Sequence, residues 1–148
     1  AGVFDLHGTA TYFIDFENQV TSGSPSTSPI NTPYNVVDFK ARAGASWSKS
    51  GWVIASNVNY VDSNRNTTVT PAVPIESWTT ADINLSYDAG EGKDWLSGMV
   101  FALSVNNVFD TDPPFVSAPI AGNFNVGYDP TNANPFGRFI SFTLTKKW

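Results

Sequence analysis

The chain has 148 residues, of which only 14% are charged and 14% are aromatic, and its net charge is −5. The negative charge and the scattered basic residues exclude a nucleic-acid-binding surface, and the absence of cysteine excludes disulfides, thiolate metal sites and a cysteine nucleophile. No run of about 18 apolar residues is present, so the sequence predicts no transmembrane helix.

Alternation of apolar and polar residues with period two recurs along the chain and predicts an all-β, antiparallel fold. In the segment 37–47, Phe39 and Trp47 fall on one face of a strand while Lys40 and Arg42 fall on the other. The alternating segments predict about six strands, at 8–18, 36–47, 52–60, 79–87, 99–108 and 138–148. These strands exceed the ~5–6 residues usual in soluble proteins and match the about 9–11 residues of a tilted strand that crosses a bilayer.

The connections between the predicted strands alternate between short and long. Ser-Lys-Ser-Gly at 48–51 predicts a tight hairpin, and 88–98 predicts a polar turn of moderate length. The long loops are rich in Pro, Asn, Ser and Thr and lie at about 20–34, 61–77 and 109–137. Short turns on one side and long loops on the other are typical of outer-membrane barrels, with the turns in the periplasm and the loops outside the cell.

Aromatic residues fall at the ends of the predicted strands and not at their centres. Trp47, Trp52, Tyr60 and Tyr87 occupy such positions. Amphipathic rings favour the interface between membrane and water, so these four are predicted to be interface aromatics. The alternative is that they are core aromatics of a soluble β protein.

The last predicted strand carries a pattern of its own. Ile140, Phe142 and Leu144 follow one another at steps of two, and Trp148 is the final residue. This pattern resembles the terminal-strand signal that the barrel-assembly machinery reads. Lys146 departs from it, since an apolar or aromatic residue is common there, but a lysine near a strand end can extend its amine to the interface.

Four segments in fixed order carry a more specific resemblance. They are SWTTADINLSY at 77–87, LSVNNVFDTDPPF at 103–115, GYDPTNANPFGRF at 127–139 and the terminal LTKKW. Together they resemble the C-terminal end of TonB-dependent outer-membrane receptors, which typically show an Asn-Leu-Phe-Asp-like segment, a loop, and Gly-Arg opening the last strand. Val108 stands where that family usually has leucine.

The resemblance implies that residues 1–148 are the C-terminal part of a 22-stranded barrel whose lumen holds an N-terminal plug. Such receptors import a scarce nutrient, such as a ferric siderophore, cobalamin or a carbohydrate, with energy from TonB. The implied partners are outer-membrane lipid, the remaining strands and plug of the same or another chain, the TonB system and the barrel-assembly machinery. No enzyme activity and no cofactor is expected in this segment. Six strands cannot close a bacterial barrel, which needs at least eight.

A few polar residues offer chemistry of their own. Asp110, Asp112 and Asp129 lie in the longest predicted loop and are either calcium ligands or turn formers. Arg138 either anchors the start of the last strand or contacts a ligand. His7 is the only histidine, so the sequence offers no multi-histidine metal site and no Ser-His-Asp triad other than one that uses His7. His7 itself is predicted to face the interface or the lumen.

Two further groups are assigned by position. Asp38, Lys40 and Arg42 are predicted to face the lumen, where charge pairing across strands, contact with the plug and steering of substrate are the possible roles. Trp78 and Phe115 are predicted to lie in loops and to be possible ligand contacts.

Two other readings of the whole sequence compete with a transporter wall. One is a soluble β-sandwich that binds carbohydrate by stacking surface Trp and Tyr on sugars. The other is an eight-stranded outer-membrane enzyme, which needs a nucleophile beside a base and two more strands. With a single histidine near the start of the chain, the sequence disfavours the enzyme.

Overall fold

The computed structural model describes residues 2–92, 95–118 and 125–147. Over these ranges the chain is all-β, as the alternation predicted. The strands are β1 (Val3–Tyr12), β2 (Phe39–Lys49), β3 (Trp52–Val61), β4 (Asn64–Asn66), β5 (Val73–Ile75), β6 (Trp78–Asp88), β7 (Met99–Asn106) and β8 (Phe139–Lys146). No helix in these ranges is long and apolar enough to cross a membrane.

Six long strands form one antiparallel sheet in the order β1-β2-β3-β6-β7-β8. Each long strand therefore pairs with the long strand that precedes and follows it in the sequence, which is an up-and-down meander. The short strands β4 and β5 pair only with each other and form a small hairpin within the loop predicted at 61–77. The two edges of the large sheet are β1 and β8.

The first strand corrects one predicted boundary. The pattern predicted a strand at 8–18, but β1 runs from Val3 to Tyr12. Its first residues pair in register with the end of β2, where Val3 lies opposite Ser48 and Phe4 opposite Trp47. Three consecutive apolar residues begin at Tyr12, so the alternation that a two-faced strand requires ends there.

The predicted starts of β3 and β7 are confirmed, and the remaining boundaries differ from the predicted ones by one to three residues. β2 begins at Phe39 and extends to Lys49, because the hairpin turn is shorter than four residues. Ser50 and Gly51 have φ values of 50° and 84°, as a two-residue turn with both central residues left-handed requires. β7 ends at Asn106 because Asn107 also adopts a positive φ of 50°.

The long connections all lie at one end of the sheet. Because the strands alternate in direction, the segments 13–38, 62–77 and 107–138 connect strands at this end of the sheet. The segments 50–51 and 89–98 connect strands at the opposite end. The loops pack on one another and contain the hydrophobic core of the described residues. Its buried members are Val37, Ile75, Val116 and Ala118.

Candidate functional site

The registers of the sheet sort the side chains of the six long strands into two faces. One continuous row of apolar residues crosses every strand, because each member lies opposite the next in the pairing. That row is Phe4, Trp47, Ile54, Leu85, Leu103 and Phe142. The two neighbouring rows on the same face are mostly apolar, with Ser56 and Lys49 as the exceptions, so the register confirms the predicted alternation of faces.

Nothing in the described ranges covers this apolar face. Leu6 is 82% exposed and Phe142 is 64% exposed. The only buried residues of the six long strands are Asn57 and Thr80, at 8% and 7% exposed, and both are polar and lie on the opposite face. A sheet that served as the core of a soluble domain would bury its apolar residues instead.

The total surface area leads to the same conclusion. The chain exposes 10068 Å², whereas a compact monomer of 16.0 kDa is expected to expose about 7400 Å². The excess of roughly 2700 Å² falls in the range of obligate interfaces. The chain therefore exposes more surface than a compact monomer of its mass.

The predicted interface aromatics lie at the two rims of the apolar face. Trp52 contacts Tyr87 with ring centroids 4.5 Å apart, and Trp47 lies beside Phe4 at 6.4 Å, all at the rim with the short turns. Tyr60 lies at the opposite rim, 6.0 Å from Phe39.

Two of the rim aromatics lie on the same strand and give the distance between the rims. Trp52 and Tyr60 are eight residues apart on β3, which is about 26 Å along a strand.

Ile140, Phe142 and Leu144, which were predicted as part of a barrel-assembly signal, lie on the apolar face of β8. They face Val105, Leu103 and Phe101 of β7 across the register. All three are more than half exposed. Trp148, the fourth member of that predicted signal, lies outside the described residues.

The opposite face carries a polar network near the end of the sheet with the long loops. Arg42 Nη1 donates to Asn59 Oδ1 at 2.8 Å, and Asn59 Nδ2 donates to Asp82 Oδ2 at 2.9 Å. The other oxygen of Asp82 accepts the backbone N–H of Asn107 at 3.0 Å. These bonds join β2, β3 and β6 to the residue that follows β7.

Two other predicted charged residues take less part in this network. Lys40 lies on the same face as Arg42, whereas Asp38 precedes β2 and is bonded through its backbone to Asn31 and Phe13. His7 lies on the polar face near the edge, where its Nε2 is 3.0 Å from Asn57 Oδ1 and its Nδ1 is 3.5 Å from Asp5.

The Asn-Val-Phe-Asp segment and the Gly-Arg segment meet at the start of the last strand. Asn107 Oδ1 accepts the N–H of Thr111 at 2.9 Å, which closes a tight turn. Asp110 then accepts the backbone N–H of Arg138 at 2.6 Å and lies 3.6 Å from its guanidinium. A Cβ on Gly137 would lie 2.5 Å from Asp110 Oδ1. The predicted anchoring role of Arg138 therefore has a direct structural basis.

The two predicted ligand-loop aromatics lie apart. Trp78 is the first residue of β6 and not a loop residue, and its Nε1 donates to Thr111 O at 3.4 Å. It borders an open recess of the polar face together with Arg42, Asp82 and Phe136. Phe115 lies in a loop, is 74% exposed and borders a different recess. The structure does not bring these two rings into one site.

Two of the three aspartates considered as calcium ligands, Asp110 and Asp129, have different partners. Asp110 binds Arg138, whereas Asp129 is buried and accepts N–H groups from Tyr34, Thr131 and Asn132. Within the described ranges no group of three or more acidic or histidine side chains is arranged to hold a metal ion.

Asp129 also influences the pKa of a tyrosine in the first long loop. Burial and the negative charge of Asp129 raise the pKa of Tyr34 above its ordinary value, and its hydroxyl donates to Ala118 O.

Sequence reasoning missed the partners that complete the polar network, namely Asn59, Asp82 and Asn107. The alternation alone places Asn59 and Asp82 on the polar face, but only the register shows that they are neighbours of Arg42. The clearest available signal was the repeated occurrence of Asn and Asp at alternate positions of adjoining strands.

No protein-family model, no curated protein and no solved structure matches the chain.

Proposed function

We propose that this chain forms the C-terminal section of the wall of a TonB-dependent outer-membrane receptor, which imports a scarce nutrient such as a ferric siderophore, cobalamin or a carbohydrate. Its six long strands would be the last six of a larger, 22-stranded barrel. The observation that carries the proposal is the uncovered apolar face, which crosses all six strands between two aromatic rims.

The opposite face supports a hydrated lumen. It carries Arg42, Asn59 and Asp82 in a bonded network, and its two buried strand residues are polar. In a barrel wall the lipid-facing side is apolar and the lumen side is polar, with long loops at one end and short turns at the other. The sheet has one apolar face, one polar face, and long loops at one end with short turns at the other, and these features support the proposal.

The open edges support a larger assembly. The outer backbone groups of β1 and β8 pair with no other strand in the described ranges. In lipid each such unpaired group costs several kcal/mol, so β1 and β8 require strands from the rest of the receptor or from another chain.

A soluble β-sandwich that binds carbohydrate is less well supported. A sandwich places a second sheet about 10 Å from the first, so that both apolar faces are covered. The second sheet of the described residues is the two-stranded hairpin of β4 and β5, which lies among the long loops and not on the apolar face.

Transport is tested by uptake in the cell that makes this protein. The gene is deleted, and uptake of radiolabelled ferric siderophore, cobalamin and oligosaccharide is compared before and after removal of TonB. We expect uptake of one substrate class to fall by the same factor in the strain that lacks this gene and in the strain that lacks TonB. Restoring the gene to the first strain should restore uptake.

Location is tested separately, so that a wrong substrate does not obscure the result. Membrane fractionation should place the protein with the outer membrane, and unheated samples should migrate differently from heated ones in denaturing gels. Recovery of the protein in the detergent-free soluble fraction would contradict the proposal.

A further inference from the structure

The polar face of the sheet carries aromatic residues only near its end with the long loops. In the registers of the six long strands, Trp78 and Phe139 occupy polar-face positions, whereas the other aromatic residues of these strands lie on the apolar face. Both border the open recess described above, and the loop residue Phe136 adds a third ring to it. Phe139 is 58% exposed and Phe136 is 74% exposed. Apolar rings left open on an otherwise polar face indicate that an apolar surface packs on them.

The size of the recess suits a small ligand. Its volume is about 680 Å³, and small-molecule sites usually have about 300–1,000 Å³. The recess is not apolar throughout, since the bonded network of Arg42, Asn59 and Asp82 also borders it. In such mixed sites the aromatic rings supply contact area, and the few polar groups fix the orientation of the ligand.

Side chains around the recess keep hydrogen-bonding groups free for a ligand. Asn106 is exposed at the end of β7, and its amide bonds no other side chain or backbone group of the described ranges. Asn134 uses only its Oδ1, which accepts the N–H of Phe136 at 2.9 Å. Arg42 is exposed and uses one N–H on Asn59. Because an amide offers donors and acceptors and a guanidinium offers donors, these groups suit a ligand whose polar groups both donate and accept.

The charges beside the recess cancel. Arg42 and Asp82 are the only charged residues of the described ranges that border it, and both bond the Asn59 amide. A site for an anion or a cation is expected to carry an excess of the opposite charge. The lining of this recess therefore favours a ligand without net charge.

We propose that this recess binds a neutral saccharide. A sugar ring presents apolar C–H groups on its faces and hydroxyls around its edge, and each hydroxyl is both a donor and an acceptor. The three aromatic rings pack against the C–H faces, while the two free amides and the guanidinium bond the hydroxyls. This inference deepens the proposed function and rests on it for the role of the saccharide as the imported nutrient, since it selects carbohydrate over ferric siderophore and cobalamin.

An array of neutral and acidic oligosaccharides tests the site in the full chain, purified in detergent. Calorimetry with the neutral oligosaccharide that binds best then gives the affinity of each variant. Phe136→Ala should weaken binding by at least about 10-fold, because it removes the most exposed of the three rings. Phe109→Ala is the matched control and should bind as the parent chain does, since Phe109 is also a loop phenylalanine, is 77% exposed and does not border the recess.

A second pair of variants tests the polar contacts. Asn106→Ala should weaken binding by about 3- to 10-fold, because it removes a free amide beside the recess. Asn84→Ala removes an amide from the polar face of β6 outside the recess and should bind as the parent chain does. Unchanged urea unfolding midpoints of Phe136→Ala and Asn106→Ala would show that weaker binding does not reflect loss of folding.

Failure of this inference and failure of the proposed function give different results, because binding to the purified chain does not involve TonB. No binding of any neutral oligosaccharide, tighter binding of acidic ones, or equal affinities of Phe136→Ala and Phe109→Ala would overturn the saccharide site. In that case TonB-dependent uptake of ferric siderophore or cobalamin would still support transport. Saccharide binding that Phe136→Ala weakens, together with uptake that does not change when the gene is deleted, would support the site and contradict transport.

Discussion

Two adjacent residues of β6 distinguish the faces of the sheet. Ile83 is the central residue of β6, five residues from each end (78 and 88), and it faces Ser56 and Val105 on the apolar side. The next residue, Asn84, faces Ala55 and Ser104 on the polar side. Lysine at either position has the same size and charge and lies on the same strand.

The loss of folding free energy that lysine causes at each position depends on what contacts that face of the sheet. If lipid covers it, Ile83→Lys places a charge near the bilayer midplane at a cost of about 2–4 kcal/mol. That is a change of roughly 30- to 800-fold in the folding equilibrium. Asn84→Lys faces the hydrated side and should cost less than about 0.5 kcal/mol, as surface substitutions usually do. Thr79→Lys, on the apolar side but near the loop rim, should cost about 0–1 kcal/mol.

The assay is urea unfolding of the protein from phospholipid vesicles, followed by tryptophan fluorescence. The order of the three losses in free energy of unfolding tests the assignment of the two faces, because each loss depends on both the face and the depth of the residue. Equal free energies of unfolding for Ile83→Lys and Asn84→Lys would refute the assignment of Ile83 to a lipid-facing surface.

Three other perturbations test separate parts of the molecule. Replacing Phe142 and Leu144 with Asp should block membrane assembly, since both lie on the exposed apolar face of β8; normal surface levels would count against the predicted assembly signal, and the double Asp variant of Ser141 and Thr143 is the control. Gly137→Ala should lower the free energy of unfolding by about 1–3 kcal/mol, because its Cβ would displace the Asp110 oxygen that holds Arg138. Gly23→Ala, whose Cβ meets nothing within 4 Å, should be neutral in the same urea titration. The pKa of Tyr34 is raised in the folded state. The contribution of Tyr34 to the free energy of unfolding should therefore be complete below about pH 10 and should fall as pH rises through the folded-state pKa. Tyr34→Phe should reduce the loss of stability at alkaline pH, and an unchanged pH dependence of unfolding would assign it to another group.

The sequence predicted the sheet better than it predicted the loops. Period-two alternation locates a strand because its two faces differ in polarity, and this held for all long strands except the first. There the apolar run that begins at Tyr12 obscured the phase, whereas pairing with β2 placed the strand at Val3–Tyr12.

Contacts between loops depend on residues far apart in the chain, which no local pattern encodes. Asp129 bonds the backbone of Tyr34 across 95 residues, and Asn66 bonds Ser117 across 51. The sequence therefore grouped Asp129 with Asp110 and Asp112, which are close in the chain, although its partners come from another loop. Arg138 was better predicted because its partner belongs to a motif with fixed spacing.

Quenching by brominated lipid tests most directly whether the apolar face contacts a membrane. Variants that keep only Trp52, on the apolar rim, or only Trp78, on the polar face, are made by replacing the other tryptophans with Phe, and each is folded into vesicles whose acyl chains carry bromine. We expect strong quenching of Trp52 and little quenching of Trp78. Equal quenching of both, or none of Trp52, would contradict this expectation and would mean that protein or water, and not lipid, covers the apolar face of the sheet.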